Sequence, residues 1–244
     1  MKLTKTLIAV LVFATAAANL QAQKNWSYEF GLAGTLNSGN INNIGFNTNA
    51  GVGRNDSIRA VYANVHFVYT EENKETTNRG LDGTIKYDYY RNTHWNPFLA
   101  AEFVTNHFKG YDFKTSFLAG IKYNFVYEAT RDYSISAALV GDYVNFYTEN
   151  PLADTLDGYK LRVSIRGQIR QKIGENTTLY HATFYQPSIF DFSDYIISSI
   201  TKVSNKLNDH VFFDVIFDYG YRSVVPEEKK HYDIATQVAV KIKF

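Results

Sequence analysis

The sequence predicts an all-β protein: a single up-and-down, antiparallel transmembrane β-barrel of about 12 strands. Three observations lead to this fold class. Runs of alternating apolar and polar residues follow one another from residue 26 onward, tight turns alternate with longer connections, and a leader for export precedes them. Because only helices and closed barrels satisfy their backbone hydrogen bonds in lipid, alternating strands in a membrane imply a closed barrel.

The N-terminal residues have the layout of a secretory signal peptide. Lys2 and Lys5 precede an apolar run over residues 7–18, and a short segment of polar and small residues ends at Ala22. The run is shorter than the roughly 20 residues that a transmembrane helix needs. We therefore predict a signal peptide over residues 1–22, cleaved within a few residues of Ala22, and a barrel over residues 23–244.

Composition excludes several classes of function. Without Lys2 and Lys5 the chain carries 23 basic against 24 acidic residues, a balance that disfavours nucleic acid as a partner. The absence of cysteine excludes disulfides, cysteine nucleophiles and cysteine-based metal sites. Aromatic residues make up 16% of the chain, which suits strands that alternate between lipid and water.

The twelve predicted strands are defined by alternation with a period of two residues. This alternation is clearest in the sixth, eighth, eleventh and last strands and weakest in the ninth and tenth, whose facing the sequence leaves open. The predicted strands are Trp26–Leu36, Ile44–Arg54, Val61–Tyr69, Leu81–Tyr89, Trp95–Phe108, Phe113–Tyr127, Tyr133–Phe146, Leu161–Ile173, Leu179–Gln186, Tyr195–Asn205, Val211–Arg222 and Tyr232–Phe244.

Connection lengths support an up-and-down barrel. We predict long connections after the third strand (residues 71–78), the seventh (residues 149–158), the ninth and the eleventh, and tight turns after the second, fourth, sixth, eighth and tenth. Membrane barrels sort their connections in this way, with short periplasmic turns and longer outer loops. The last strand ends on Phe244, and a terminal aromatic residue resembles the assembly signal of bacterial outer-membrane barrels.

Charged residues share the inward parity on many strands. Arg162, Arg166 and Arg170 form a ladder on the eighth strand, and acidic residues on other strands face it. Two interpretations remain open: a lumen filled by satisfied ion pairs, or a narrow pore that selects solutes by charge. The tentative lumen site comprises Arg162, Arg166, Arg170, Asp214, Asp218 and Arg222.

Catalysis, metals and cofactors receive little support from the sequence. His107 is predicted to face lipid near the outer end of the fifth strand, but no serine accompanies it at a trusted spacing. The other histidines lack metal-ligand spacing, so we expect no enzyme activity, no metal site and no cofactor. A lipid-modifying enzyme at the outer leaflet and a soluble periplasmic β-rich binding protein remain the alternatives.

The first strand and its turn carry a family resemblance. The segment GLAGTLNSGN (residues 31–40), followed by KYDYY (residues 86–90) and LAGIKY (residues 118–123), resembles the salt-induced outer membrane protein family, catalogued as domain of unknown function 481. The resemblance implies an outer-membrane barrel of undefined activity, with outer-membrane lipids and the barrel-assembly machinery as partners. Its name suggests an envelope role in salt or osmotic stress, and it leaves the oligomeric state open.

Overall fold

Twelve antiparallel strands form a closed barrel in the computed structural model. The structure describes residues 25–38, 43–72, 75–89, 93–106, 111–146, 158–225 and 230–244. Each strand pairs with its neighbour in sequence, and β1 closes the barrel on β12. The strands are β1 (Trp26–Ser38), β2 (Asn43–Asn55), β3 (Arg59–Glu72), β4 (Glu75–Tyr89), β5 (Trp95–Asn106), β6 (Tyr111–Tyr127), β7 (Arg131–Phe146), β8 (Gly158–Lys172), β9 (Thr177–Pro187), β10 (Tyr195–Lys206), β11 (Val211–Arg222) and β12 (Tyr232–Lys243).

The predicted fold class, topology and strand number are confirmed, with one correction to a connection. Residues 71–78, predicted as a loop, belong mostly to β3 and β4, whose pairing continues to Glu72 and Glu75. Polar composition misled the prediction, because a two-stranded ladder satisfies its own backbone groups wherever it continues into water. No helix among the described residues is long and apolar enough to span a membrane.

The outer surface of the barrel is apolar along its middle and aromatic toward both ends. Leu32, Phe117 and Leu139 expose 45%, 66% and 57% of their surface on this side, which only a lipid environment makes favourable. We call the end where β1 begins and β12 ends the proximal end, and the opposite end the distal end. Ring contacts gather near each end, as in Trp95–Tyr123 proximally and Tyr185–Tyr195 distally.

The inner surface is polar and partly filled. Tyr62 on β3 donates a 2.5 Å hydrogen bond to Glu29 on β1, across the intervening β2. A Cβ on Gly51 of β2 would come within 2.7 Å of the Tyr62 hydroxyl and 2.8 Å of Glu29 Cγ, so glycine makes room for this pair. Asn47 bonds similarly to Gln237 at 3.2 Å. Contacts between strands that are not neighbours are possible only on the concave face, and they identify the lumen side.

Candidate functional site: a basic wall in the lumen

The inward faces of β8, β9 and β10 form a wall that carries cations and no carboxylate. The strand register establishes which side chains face inward. Outward-facing residues of β8 pair with outward-facing residues of β9, and these pair in turn with outward-facing residues of β10. The structure describes every residue of these strands, and none of them is Asp or Glu. We call this surface the basic wall; its inward cations are Lys160, Arg162, Arg166, Arg170, Lys172, Lys202 and Lys206.

At the distal end of the basic wall, Arg162 is neutralised by carboxylates. Its guanidinium donates to both carboxylate oxygens of Asp194, at 2.9 and 2.8 Å, and to the backbone carbonyls of Gln186 and Asp194. Asp142 on β7 lies 4.0 Å away and is also approached by Lys114 at 3.4 Å. The Arg162 side chain is only 6% exposed. Its charge is therefore neutralised within this ion pair, which holds the β9–β10 connection against the wall.

In the middle of the wall, Arg166 has polar and aromatic neighbours but no acidic partner among the described residues. Its guanidinium donates to Gln168 and to the hydroxyl of Tyr180, the latter at 2.5 Å, and lies 5.0 Å from the Phe184 ring centroid. Its Nε atom is buried and has no hydrogen-bond partner among the described residues. Since aromatic rings and neutral groups do not cancel a unit charge, Arg166 keeps its positive field in the lumen.

Toward the proximal end, two further cations flank Tyr180. Arg170 on β8 and Lys202 on β10 are its direct neighbours in register, and the Lys202 ammonium lies 5.8 Å from the ring centroid. Arg170 is also the cross-strand neighbour of Asp132 on β7, whose Oδ1 atom is buried and has no hydrogen-bond partner in the described part of the chain. Arg166, Arg170 and Lys202 therefore concentrate positive charge around one aromatic ring.

Acidic residues on the other strands are mostly bonded within their own neighbourhood. Asp214 accepts a hydrogen bond from Ser204 and pairs with Lys241 at 3.0 Å. Asp218 accepts a 2.8 Å hydrogen bond from Gln237. Lys86 pairs with Asp88, and His66 contacts Asp82 at 2.9 Å. The ion pairs with Lys241 and Lys86 weaken the negative field facing the basic wall, where Arg166 and Lys202 contact aromatic rings and neutral groups.

The structure places the residues of the tentative lumen site in different environments. Arg162, Arg166 and Arg170 share the inward face of β8, but Arg162 meets Asp142 and Asp194 rather than Asp214 or Asp218. Arg222 lies exposed at the distal end of β11. Sequence reasoning missed Lys202, because the facing of the tenth strand was open, and missed Asp194, because it lies in a connection.

The sequence also directs attention to metal ligands, to His107 and to Phe244. No cluster of three or more His, Asp or Glu residues suited to a metal occurs among the described residues. His107 falls outside the part of the chain that the structure describes. Phe244 follows β12, exchanges backbone hydrogen bonds with Tyr28 and stacks on His210 at 5.5 Å.

Solved structures of outer-membrane proteins share this architecture. A NanC porin aligns with a TM-score of 0.61 at 10% identity, covering 88% of this chain and 100% of the porin. A KdgM porin in complex with disordered oligogalacturonate aligns at 0.51 and 10%, covering 88% and 99%. The translocator domain of the autotransporter NalP from Neisseria meningitidis aligns at 0.51 and 7%, covering 99% and 98%. The fold is that of bacterial outer-membrane barrels, and the apolar outer wall suits this location.

The sequence itself identifies the family. Residues 29–244 match the family described as "Protein of unknown function, DUF481", and the chain belongs to that family. No curated protein matches the chain by sequence. The resemblance seen in the first strand and its turn is thereby confirmed, whereas the association with salt that its name suggests stays a prediction.

Proposed function

We propose that this protein is an outer-membrane barrel with a narrow aqueous pore, in which the basic wall favours the passage of anions. The observation that carries the proposal is the absence of acidic residues from β8, β9 and β10, combined with Arg166 and Lys202, which rest on aromatic rings rather than on carboxylates. Charge rings and ladders of one sign are a common basis of selectivity in channels.

The lumen retains room for water beside its packed residues. Asp82 exposes 43% of its side chain and Lys86 exposes 29%, although both point inward at mid-wall. A barrel of twelve strands is intermediate in width between eight-stranded barrels, whose interior is filled by side chains, and the wider porins, whose interior is an open channel. A KdgM porin of the same fold was solved with oligogalacturonate, an acidic sugar, which supports small organic anions as candidate solutes here.

Targeting and assembly form part of the same proposal. Residues 1–22 would direct export and be removed, and the barrel-assembly machinery would recognise the last strand through Phe244. With an even number of strands, the proximal end would face the periplasm and the longer connections the exterior.

Single-channel recording in planar bilayers tests the pore. We expect discrete openings and, in a salt gradient, a reversal potential that indicates anion preference. Replacing Arg166 by Glu should shift the anion-to-cation permeability ratio about 30-fold toward cations, because a change of two unit charges at roughly 8 Å in water alters the permeability of each ion about sixfold, in opposite directions. Arg131→Glu is the matched control, because Arg131 faces outward on β7 and pairs with Glu128 beside a turn.

Two results would overturn the proposal. One is a barrel that conducts nothing although it is folded, as shown by heat-dependent mobility in gels. The other is a selectivity that responds equally to Arg166→Glu and Arg131→Glu, since the basic wall would then have no special influence on permeating ions.

A further inference from the structure

A connected group of polar side chains lies on the outer, lipid-facing surface of β9 and β10. His181 and Thr183 on β9 stand directly opposite Thr201 and Ser199 on β10. His181 Nδ1 lies 2.9 Å from Thr201 Oγ1, its Nε2 lies 3.1 Å from Thr183 Oγ1, and Thr183 Oγ1 lies 3.0 Å from Ser199 Oγ. We call these four residues the outer polar cluster.

Apolar residues surround the outer polar cluster on the same face. Leu179 and Val203 lie on its proximal side and Ile197 on its distal side, while Ile169 and Phe217 flank it on the adjacent strands. His181 is midway between Thr177 and Tyr185, about 13 Å along the strand from either. The cluster therefore lies well inside the apolar band, where polar groups are costly and mark functional contacts.

Proton counting shows that the cluster is incomplete by itself. A neutral imidazole donates one hydrogen bond and accepts one, and each hydroxyl has one proton to donate. The three hydrogen bonds use three of the four available protons, so one hydroxyl proton, at Thr183, Ser199 or Thr201 depending on the tautomer, remains without an acceptor in the cluster. Hydrocarbon tails offer it no acceptor.

A second feature on the same hairpin extends this surface beyond the membrane. The β9–β10 connection at the distal end exposes 82% of Phe190 and 67% of Phe192. Its shape is fixed by the Arg162–Asp194 ion pair and by Asp191, which accepts a 2.9 Å hydrogen bond from the Ser193 backbone. Two exposed aromatic side chains on an ordered connection are typical of a protein contact.

We propose that the outer face of the β9–β10 hairpin is the contact through which two copies of this chain associate in the membrane. Two copies inserted in the same direction are related by a two-fold axis along the membrane normal, so each residue near the axis meets its own counterpart at equal depth. Only groups that both donate and accept hydrogen bonds can pair with themselves, and every member of the outer polar cluster is such a group.

Small side chains also allow close approach at this face. Gly167 neighbours Thr183 in register, and a Cβ built on it would meet nothing within 4 Å. Small and hydroxyl-bearing residues are those that membrane interfaces use for backbone approach and hydrogen bonding. A hydroxyl beside an imidazole also suits nucleophilic catalysis, but the strand ladders occupy the surrounding backbone N–H groups and leave no oxyanion donor.

Cysteine cross-linking of purified protein in lipid vesicles tests the contact directly, because the chain contains no cysteine. Ser199→Cys should form a disulfide-linked dimer on oxidation, since counterparts near the axis come within disulfide reach. Leu139→Cys, on the lipid-facing side of β7, is the matched control and should stay monomeric. Failure of Ser199→Cys to cross-link, or equal cross-linking of both variants, would overturn the proposal.

Removing the polar groups gives an independent measurement. The double variant His181→Leu/Thr183→Val should weaken dimerisation about tenfold in vesicles of graded protein-to-lipid ratio, as expected when a few membrane hydrogen bonds are lost. Thr236→Val on the outward face of β12 is the control, and heat-dependent gel mobility shows that each barrel is folded. A wild-type protein that is monomeric at every ratio, or an undiminished dimer in the double variant, would contradict the proposed contact.

Discussion

The distal end and the middle of the basic wall use arginine in different ways. Arg162, at the distal end, is 6% exposed and ion-paired to Asp194. Arg166, four residues further along the same strand, rests on Phe184 and Tyr180 and has no acidic partner in the part of the chain that the structure describes. Residue type, strand and facing are the same in both positions. The neighbours decide whether the charge fixes the wall or acts on the lumen.

The difference between Arg162 and Arg166 also explains why a row of arginines on one strand is not by itself a selectivity filter. A cation whose charge is cancelled at short range contributes little field to passing ions, while one held by neutral groups contributes nearly all of it. The ladder is therefore divided into a structural anchor at one end and an electrostatic surface in its middle and proximal part.

Replacing Arg162 by Met should have the largest effect on stability. The change removes the cation that pairs with Asp194 and leaves Asp142 with Lys114 and the Ser116 hydroxyl. Breaking a buried ion pair costs about 3 kcal/mol or more. Denaturant unfolding followed by tryptophan fluorescence measures the loss. Arg170→Met, on the same strand face, should change the free energy of unfolding by less than about 0.5 kcal/mol. Equal losses in the two variants would remove the distinction between the two ends.

Replacing Phe184 by Leu should have an intermediate effect. The Arg166 guanidinium would lose the ring on which it rests, at a cost of about 1 kcal/mol in the free energy of unfolding. Phe217→Leu is the matched control, because Phe217 faces lipid on β11 and is 45% exposed. The denaturation midpoints of the two variants compare the ring contact with simple loss of apolar area. A control that loses as much as Phe184→Leu would show that the cation contact contributes nothing.

The smallest effect should be that of acidification on the β9–β10 connection. The Ser193 hydroxyl and backbone N–H hold the pKa of Asp191 below its ordinary value. A lowered folded-state pKa stabilises the connection above the unfolded pKa of about 3.9, and this contribution fades as pH falls through the lowered value. Proteolysis of the connection should therefore be unchanged between about pH 7 and pH 5 and rise only below about pH 4. Asp191→Asn should remove that pH dependence.

The sequence predicted the fold because its physical basis is local. A period of two residues separates lipid-facing from lumen-facing side chains on each strand, so strand number, topology and the facing of β8 followed from the pattern alone. The alternation did not establish which residues of β9 and β10 face lipid. Lipid-facing positions where Leu or Val would be expected are occupied there by His181, Thr183, Ser199 and Thr201. The alternation also failed at residues 71–78, whose polar side chains conceal a continuing ladder.

The sequence by itself determined that twelve strands close into a barrel and that arginines line one strand inside it. Tertiary structure decided which charges cancel. Arg162 and Asp194 are 32 residues apart and meet because the β9–β10 connection lies against β8, where Ile189 donates a backbone hydrogen bond to Leu161. Alternation along a strand is set by its own geometry, whereas partners across the barrel depend on register, on closure and on the course of the connections.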